Sequence, residues 1–103
     1  MSFCSPPELQ KITVIVKLSS GVSDYEIRGV KDTDYKIWAC YLAKKVTTLS
    51  NRVIAAYFQI NPTYMETRLE EYSVGFLFYD NVKHEMDLMI QAYRDLENIR
   101  ESA

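Results

Sequence analysis

Glycine and proline are scarce in this 103-residue chain, three of each, and an all-β fold built on tight turns needs more of both. Cysteine occurs twice, at Cys4 and Cys40, and histidine once, at His84. Three dispersed nitrogen and sulfur ligands fall short of the four, usually in close-spaced pairs, that a structural zinc site takes. Nowhere do about 18 apolar residues run together, so no membrane span is expected. The opening Met1-Ser2-Phe3-Cys4-Ser5 lacks the basic and apolar regions of a signal peptide. Cys4 falls in a loose terminus over 1–5 and Cys40 inside an apolar helical pattern. Both read as reduced thiols, which suits a cytoplasmic setting. Catalytic constellations are also missing. His84 has no Ser, Cys or carboxylate partner at a recognisable spacing, and Glu70 and Glu71 diverge on a helix surface. The expectation is a chain that is not an enzyme, with no cofactor, no metal and no small-molecule substrate.

What is present is a pattern for helices. Hydrophobic residues make up 48% and charged residues 25%, enough for one core in a single domain over 1–103. Ser5-Pro6-Pro7-Glu8 reads as a capping Ser, a Pro at the first helical position and a reciprocal Glu. Leu9, Ile12, Ile15 and Val16 then share a face, and Gly21 supplies the stop. The β-branched run Ile12 to Val16 favours a strand, but cap and stop agree on helix. Ser23-Asp24-Tyr25-Glu26 opens a one-turn helix before Gly29. Asp32 or Thr33 caps the next, which runs to about Val46 with Ile37, Trp38, Tyr41, Leu42 and Val46 as its buried stripe. Lys36, Lys44 and Lys45 fall mostly outside that stripe. Ser50 caps a helix from Asn51 to about Phe58, and Asn61 with Pro62 opens another that continues through Leu69 and Tyr72. A last helix over about 81–99 places Val82, Met86, Met89, Ile90, Tyr93 and Leu96 on one side. The fold class is therefore all-α, with about six helices.

The stretch from 50 to 72 has the spacing of a helix-turn-helix. Two short helices that cross steeply need a small residue where they approach and shared apolar positions around it. Ala55 is the small residue; Ile54, Phe58, Ile60, Met65 and Leu69 are the apolar set. The tight-turn position usually held by Gly carries Gln59. In such motifs the start of the second helix enters the major groove. Thr63, Tyr64, Thr67 and Arg68 are the residues expected at base edges, and Lys31, Lys44, Lys45 and Arg52 those expected on phosphates.

The quoted residues, taken together, resemble the C-terminal DNA-binding domain of the bacterial chromosomal replication initiator DnaA. The resemblance covers about Leu9 to Leu96. It rests on Gly21-Val22-Ser23 before the short helix, on the long-helix run Ile37-Trp38-Ala39-Cys40-Tyr41-Leu42-Ala43-Lys44-Lys45-Val46-Thr47, and on Ser50, Ile54, Ala55 and Phe58 in register. It implies a DnaA-like fold, double-stranded DNA as partner and a role in replication initiation or its regulation. It also implies a minor-groove contact from the loop, here Arg28 or Lys31. At the second helix the family carries a Gly-Gly-Arg-Asp-His-Thr-Thr type run. Gln59-Ile60-Asn61-Pro62-Thr63-Tyr64 stands there instead, one residue shorter, and Thr63 is the carry-over.

Charge separates two readings. Residues 31–52 carry five basic groups against Asp32 and Asp34, whereas 61–103 carry nine acidic groups against four basic ones. A basic middle can orient a domain on DNA, yet DNA-binding domains are usually basic overall. The alternative is a degenerate helix-turn-helix kept as a protein-interaction or dimerisation module, with Phe76, Phe78 and Tyr79 meeting a protein partner or forming a homodimer. Most of the eight tyrosines read as half-buried packing; Tyr64 is expected exposed, and Met86 and Met89 buried.

Overall fold

The computed structural model describes residues 6–31, 33–75 and 80–102. Six helices account for nearly all of them: α1 (Pro7–Ser20), α2 (Asp24–Arg28), α3 (Asp34–Val46), α4 (Asn51–Phe58), α5 (Pro62–Gly75) and α6 (Asp80–Ser102). Cys4, the Ser5 cap, Asp32 and the Phe76, Phe78 and Tyr79 surface lie outside the described residues.

Local chemistry sets the helix ends. Gly21 ends α1 with φ 70°, a left-handed conformation that costs a residue with a Cβ far more than glycine, and its N–H donates to the Lys17 carbonyl. The β-branched run of α1 is helical because that conformation buries four of its five residues, Ile12, Thr13, Ile15 and Val16, and turns only Val14 outward. Thr13 keeps its hydroxyl satisfied by donating to the Leu9 carbonyl at 2.8 Å. The start of α1 corrects one expectation. Its N-cap is Pro6 rather than Ser5, with Pro7 opening the helix, and no side chain caps it. Ser23 occupies the N-cap of α2 without a side-chain cap bond either. At α3 the Thr33 hydroxyl does accept from the Lys36 N–H.

The central element is α3, which packs against all five other helices. Small residues make this possible: Ala39, Cys40 and Ala43 are fully buried and let neighbouring backbones approach. Around them sit Leu9, Ile12, Val16, Ile27, Ile37, Leu42, Ile54, Phe58, Met65, Met86 and Met89. Burying each large apolar side chain contributes about 1.5–3 kcal/mol. Two expectations about faces change. Lys36 lies fully inside, whereas Trp38, Tyr41 and Val46 are only half-buried, because the neighbouring helices close over the side of α3 that carries Lys36, Ile37, Ala39, Cys40, Leu42 and Ala43. On α6, Met86, Met89 and Tyr93 are buried as expected, but Leu96 is 40% exposed. Lys11 ties α1 to α6 by an ion pair with Glu97, its ammonium 5.7 Å from the Tyr93 ring centroid. None of the described helices is long and apolar enough to cross a membrane.

Candidate functional site

The α4–α5 pair is assembled from two caps and one unusual residue. Ser50 accepts from the Val53 N–H at 3.3 Å and starts α4. At the other end Gln59 adopts φ 56° and ψ 53°, the single described non-glycine residue with positive φ. Its N–H reaches the Ala56 carbonyl at 3.4 Å, and Ile60 N–H reaches Ala55 at 3.0 Å, the two bonds of a Schellman turn. Asn61 Oδ1 then accepts from Thr63 N–H at 2.9 Å and Tyr64 N–H at 3.1 Å, and Pro62 needs no donor at the first helical position. Ala55, Ile60 and Met65 are buried between the two helices and the rest of the core.

A polar cluster holds this turn to the rest of the molecule. Lys36 is 0% exposed, and its Nζ donates to the Gly29 carbonyl at 2.6 Å and the Gln59 carbonyl at 3.0 Å. Those carbonyls close the C-terminal ends of α2 and α4. Both ends carry the negative pole of a helix, so one ammonium offsets two. Gln59 returns a bond from its Nε2 to the Arg28 carbonyl. Arg28 in turn donates through Nε to the Tyr57 carbonyl at 3.2 Å and stacks 3.9 Å above the Tyr57 ring centroid. The left-handed Gln59 is thus fixed through both its side chain and its own carbonyl.

Beside the turn, an open groove of about 560 Å³ runs between the end of α3, the start of α4 and the outer face of α5. It brings together four of the expected residues, Lys44, Lys45, Thr63 and Thr67, over Tyr41 and Leu69. Glu66 and Glu70 line it as well. No ion pair among the described residues involves Lys44, Lys45 or Arg52; the Lys45 ammonium lies 5.4 Å from the Tyr41 ring centroid. Glu66 Oε1 instead accepts from Asn51 Nδ2 at 2.7 Å.

The other expected residues lie outside the groove. Lys31 is exposed beyond the C-terminal end of α2, Arg52 is exposed on the first turn of α4, and Tyr64 is 40% exposed on α5. Arg68 is engaged elsewhere. It pairs with Glu71 at 3.2 Å and with Asp34, at the start of α3, at 3.5 Å. Burial alone would lower its pKa, but Tyr64, Glu71 and Tyr72 outweigh that and hold it above the ordinary value. Burial, together with the Asp34 carboxylate, also raises the Tyr72 phenol above its usual range, against hydrogen bonds with Trp38 and Arg68.

Sequence reasoning missed Lys36, Asn51 and the orienting role of Arg28. The signal for Lys36 was its spacing: positions 36, 40 and 43 share a helical face, and Cys40 and Ala43 are fully buried. Asn51 offered no pattern, since its partner Glu66 is brought near only by the crossing of two helices. His84 is exposed on α6, and no group of described residues could hold a metal ion. Compared with protein families, curated proteins and solved structures, the chain matches none.

Proposed function

We propose that the chain binds double-stranded DNA, with α4–turn–α5 acting as a helix-turn-helix. One observation carries this reading: Thr63, Tyr64 and Thr67 in the first two turns of α5 stand exposed, after a turn held in left-handed geometry, beside Lys44 and Lys45, which form no ion pair among the described residues. Thr63, Tyr64 and Thr67 supply short polar and aromatic groups for base edges, while Lys44, Lys45, Arg52 and Lys31 hold phosphates. Arg68, engaged with Asp34 and Glu71, braces α5 against α3 rather than reading bases. The resemblance to the DnaA C-terminal domain supports the same docking and suggests a bacterial replication-initiation or regulatory context.

The test is a salt titration of binding to a duplex. Four phosphate contacts give a roughly hundredfold loss of affinity between about 50 and 200 mM salt. Lys44→Ala and Lys45→Ala should each lower affinity for all sequences and flatten the salt dependence by about one contact. No binding to any duplex at low salt overturns the proposal. The second reading, a protein-interaction module, draws on the glutamates opposite the lysines. A groove carrying both charge signs over Tyr41 and Leu69 suits a polypeptide segment of mixed charge.

A further inference from the structure

A glutamate on the face offered to a polyanion is unfavourable unless it recognises something. Glu66 lies on the second turn of α5, on the side shared by Thr63, Thr67 and Glu70, and is exposed. One hydrogen bond orients it: Oε1 accepts from Asn51 Nδ2 at 2.7 Å, across the crossing of α4 and α5. The second oxygen, Oε2, makes no hydrogen bond to another described residue. No described cation pairs with it: Arg68 is held by Glu71 and Asp34, and Lys44 and Lys45, which line the same groove, form no ion pair with it. The result is a carboxylate held at one oxygen, with the other open to a donor, on the helix that would enter the groove.

We propose that Glu66 is the specificity-determining residue of this surface and that Oε2 accepts a hydrogen bond from the exocyclic amine of a cytosine in the major groove. The inference rests on the DNA-binding reading above and deepens it. Phosphates repel a carboxylate, so only a donor on the groove floor can offset its approach. Cytosine N4 and adenine N6 are the two such donors. Adenine places the N7 acceptor beside its amine, which repels a second carboxylate lone pair, whereas cytosine sets no acceptor of its own there. Guanine and thymine offer acceptors and, in thymine, a methyl group. Glu66 therefore adds little affinity and much discrimination, working as much by rejecting wrong bases as by holding the right one.

The experiment selects duplexes from a randomised pool with the full chain, then measures affinity for the preferred duplex and for versions with each cytosine replaced by thymine. The wild-type chain should lose about five- to a hundredfold at one cytosine. Glu66→Ala should bring that ratio close to one while tightening binding to unselected duplex, because a repulsive charge is gone. Asn51→Ala, which frees the carboxylate, should lower the ratio, and Asn51→Asp, which cannot donate to it, should lower it as well. Circular dichroism and a urea midpoint establish that the variants fold. A wild-type chain without a cytosine preference, or a preference that survives Glu66→Ala, overturns the assignment while leaving DNA binding intact. Failure of the wild-type chain to bind any duplex at low salt overturns the DNA reading and this assignment with it.

Discussion

Replacing Lys36 by Met isolates the polar cluster at the turn. The substitution shortens the side chain by one atom and keeps an apolar stem, so the packing of the aliphatic part survives. What it removes is the ammonium that serves the Gly29 and Gln59 carbonyls at 2.6 and 3.0 Å. A hydrogen bond from a charged donor contributes about 1.5–3 kcal/mol, and a buried acceptor left without a donor costs about 1–3 kcal/mol. Exchanging a whole buried ion pair for apolar residues is often neutral, but here the acceptors are main-chain atoms and remain in place. The expected loss is about 2–5 kcal/mol, a large part of the roughly 5–15 kcal/mol of a typical domain. For a chain of this size that lowers Tm by roughly 10–25 °C. Urea unfolding followed by far-ultraviolet circular dichroism reads the change as a lower midpoint at constant m-value. Lys36→Arg should not rescue it, since a planar guanidinium is bulkier than the site an ammonium fills. A Lys36→Met midpoint within about 0.5 kcal/mol of wild type, or above it, would refute the reasoning.

Two further substitutions test the neighbouring chemistry. Gln59→Gly relieves a left-handed conformation that costs about 1–2 kcal/mol, but forfeits the bond to the Arg28 carbonyl and frees the unfolded chain, so its stability should stay within about 1 kcal/mol of wild type. Gln59→Ala keeps the strain and loses the bond, about 0.5–1.5 kcal/mol; a Gly variant less stable than the Ala variant would contradict the geometry. Tyr72 has its pKa raised in the folded state by burial and Asp34, so the fold holds the phenolic proton more tightly than the unfolded chain does. That contribution is complete below the ordinary phenol range of about 10 and is lost as pH rises through the raised value. Tyr72→Phe should therefore flatten the alkaline fall in the urea midpoint, and an unchanged pH profile would argue against the raised phenol.

The helix boundaries were legible because the chain marks them with residues that have one purpose. Gly21 in left-handed conformation, Thr33 and Ser50 as N-caps, and Asn61 before Pro62 all do locally what their types dictate. Ser5 misled for a similar reason: the capping spacing fits it, but Pro7 rather than Pro6 opens the helix. Positions decided by tertiary contact were harder. Lys36 has the side chain of a surface residue and sits in the core because two helix ends converge there. Trp38 and Tyr41 look like the centre of a buried stripe, yet the small residues Ala39, Cys40 and Ala43 hold the centre of α3. In the groove, Lys44 and Lys45 stand out by their charge and Thr63 and Thr67 by their place at the start of α5, while their meeting in one groove is set by the packing of α3 against α5. The engagement of Arg68 does not stand out, because its partner Asp34 is 34 positions away in the chain.

The Gln59 hinge also bears on how portable the bihelical element is. Its geometry is dictated by groups from two other segments: the end of α2, with Arg28 and Gly29, and Lys36 in the interior of α3. A peptide spanning only α4 and α5 would have no ammonium beneath the bend and no amide acceptor opposite it. It would lose the crossing angle before it lost its helices. Grafting those two helices onto an unrelated scaffold would transplant a sequence without its bearing surface, so the smallest transferable part of this molecule starts at the first turn of α2.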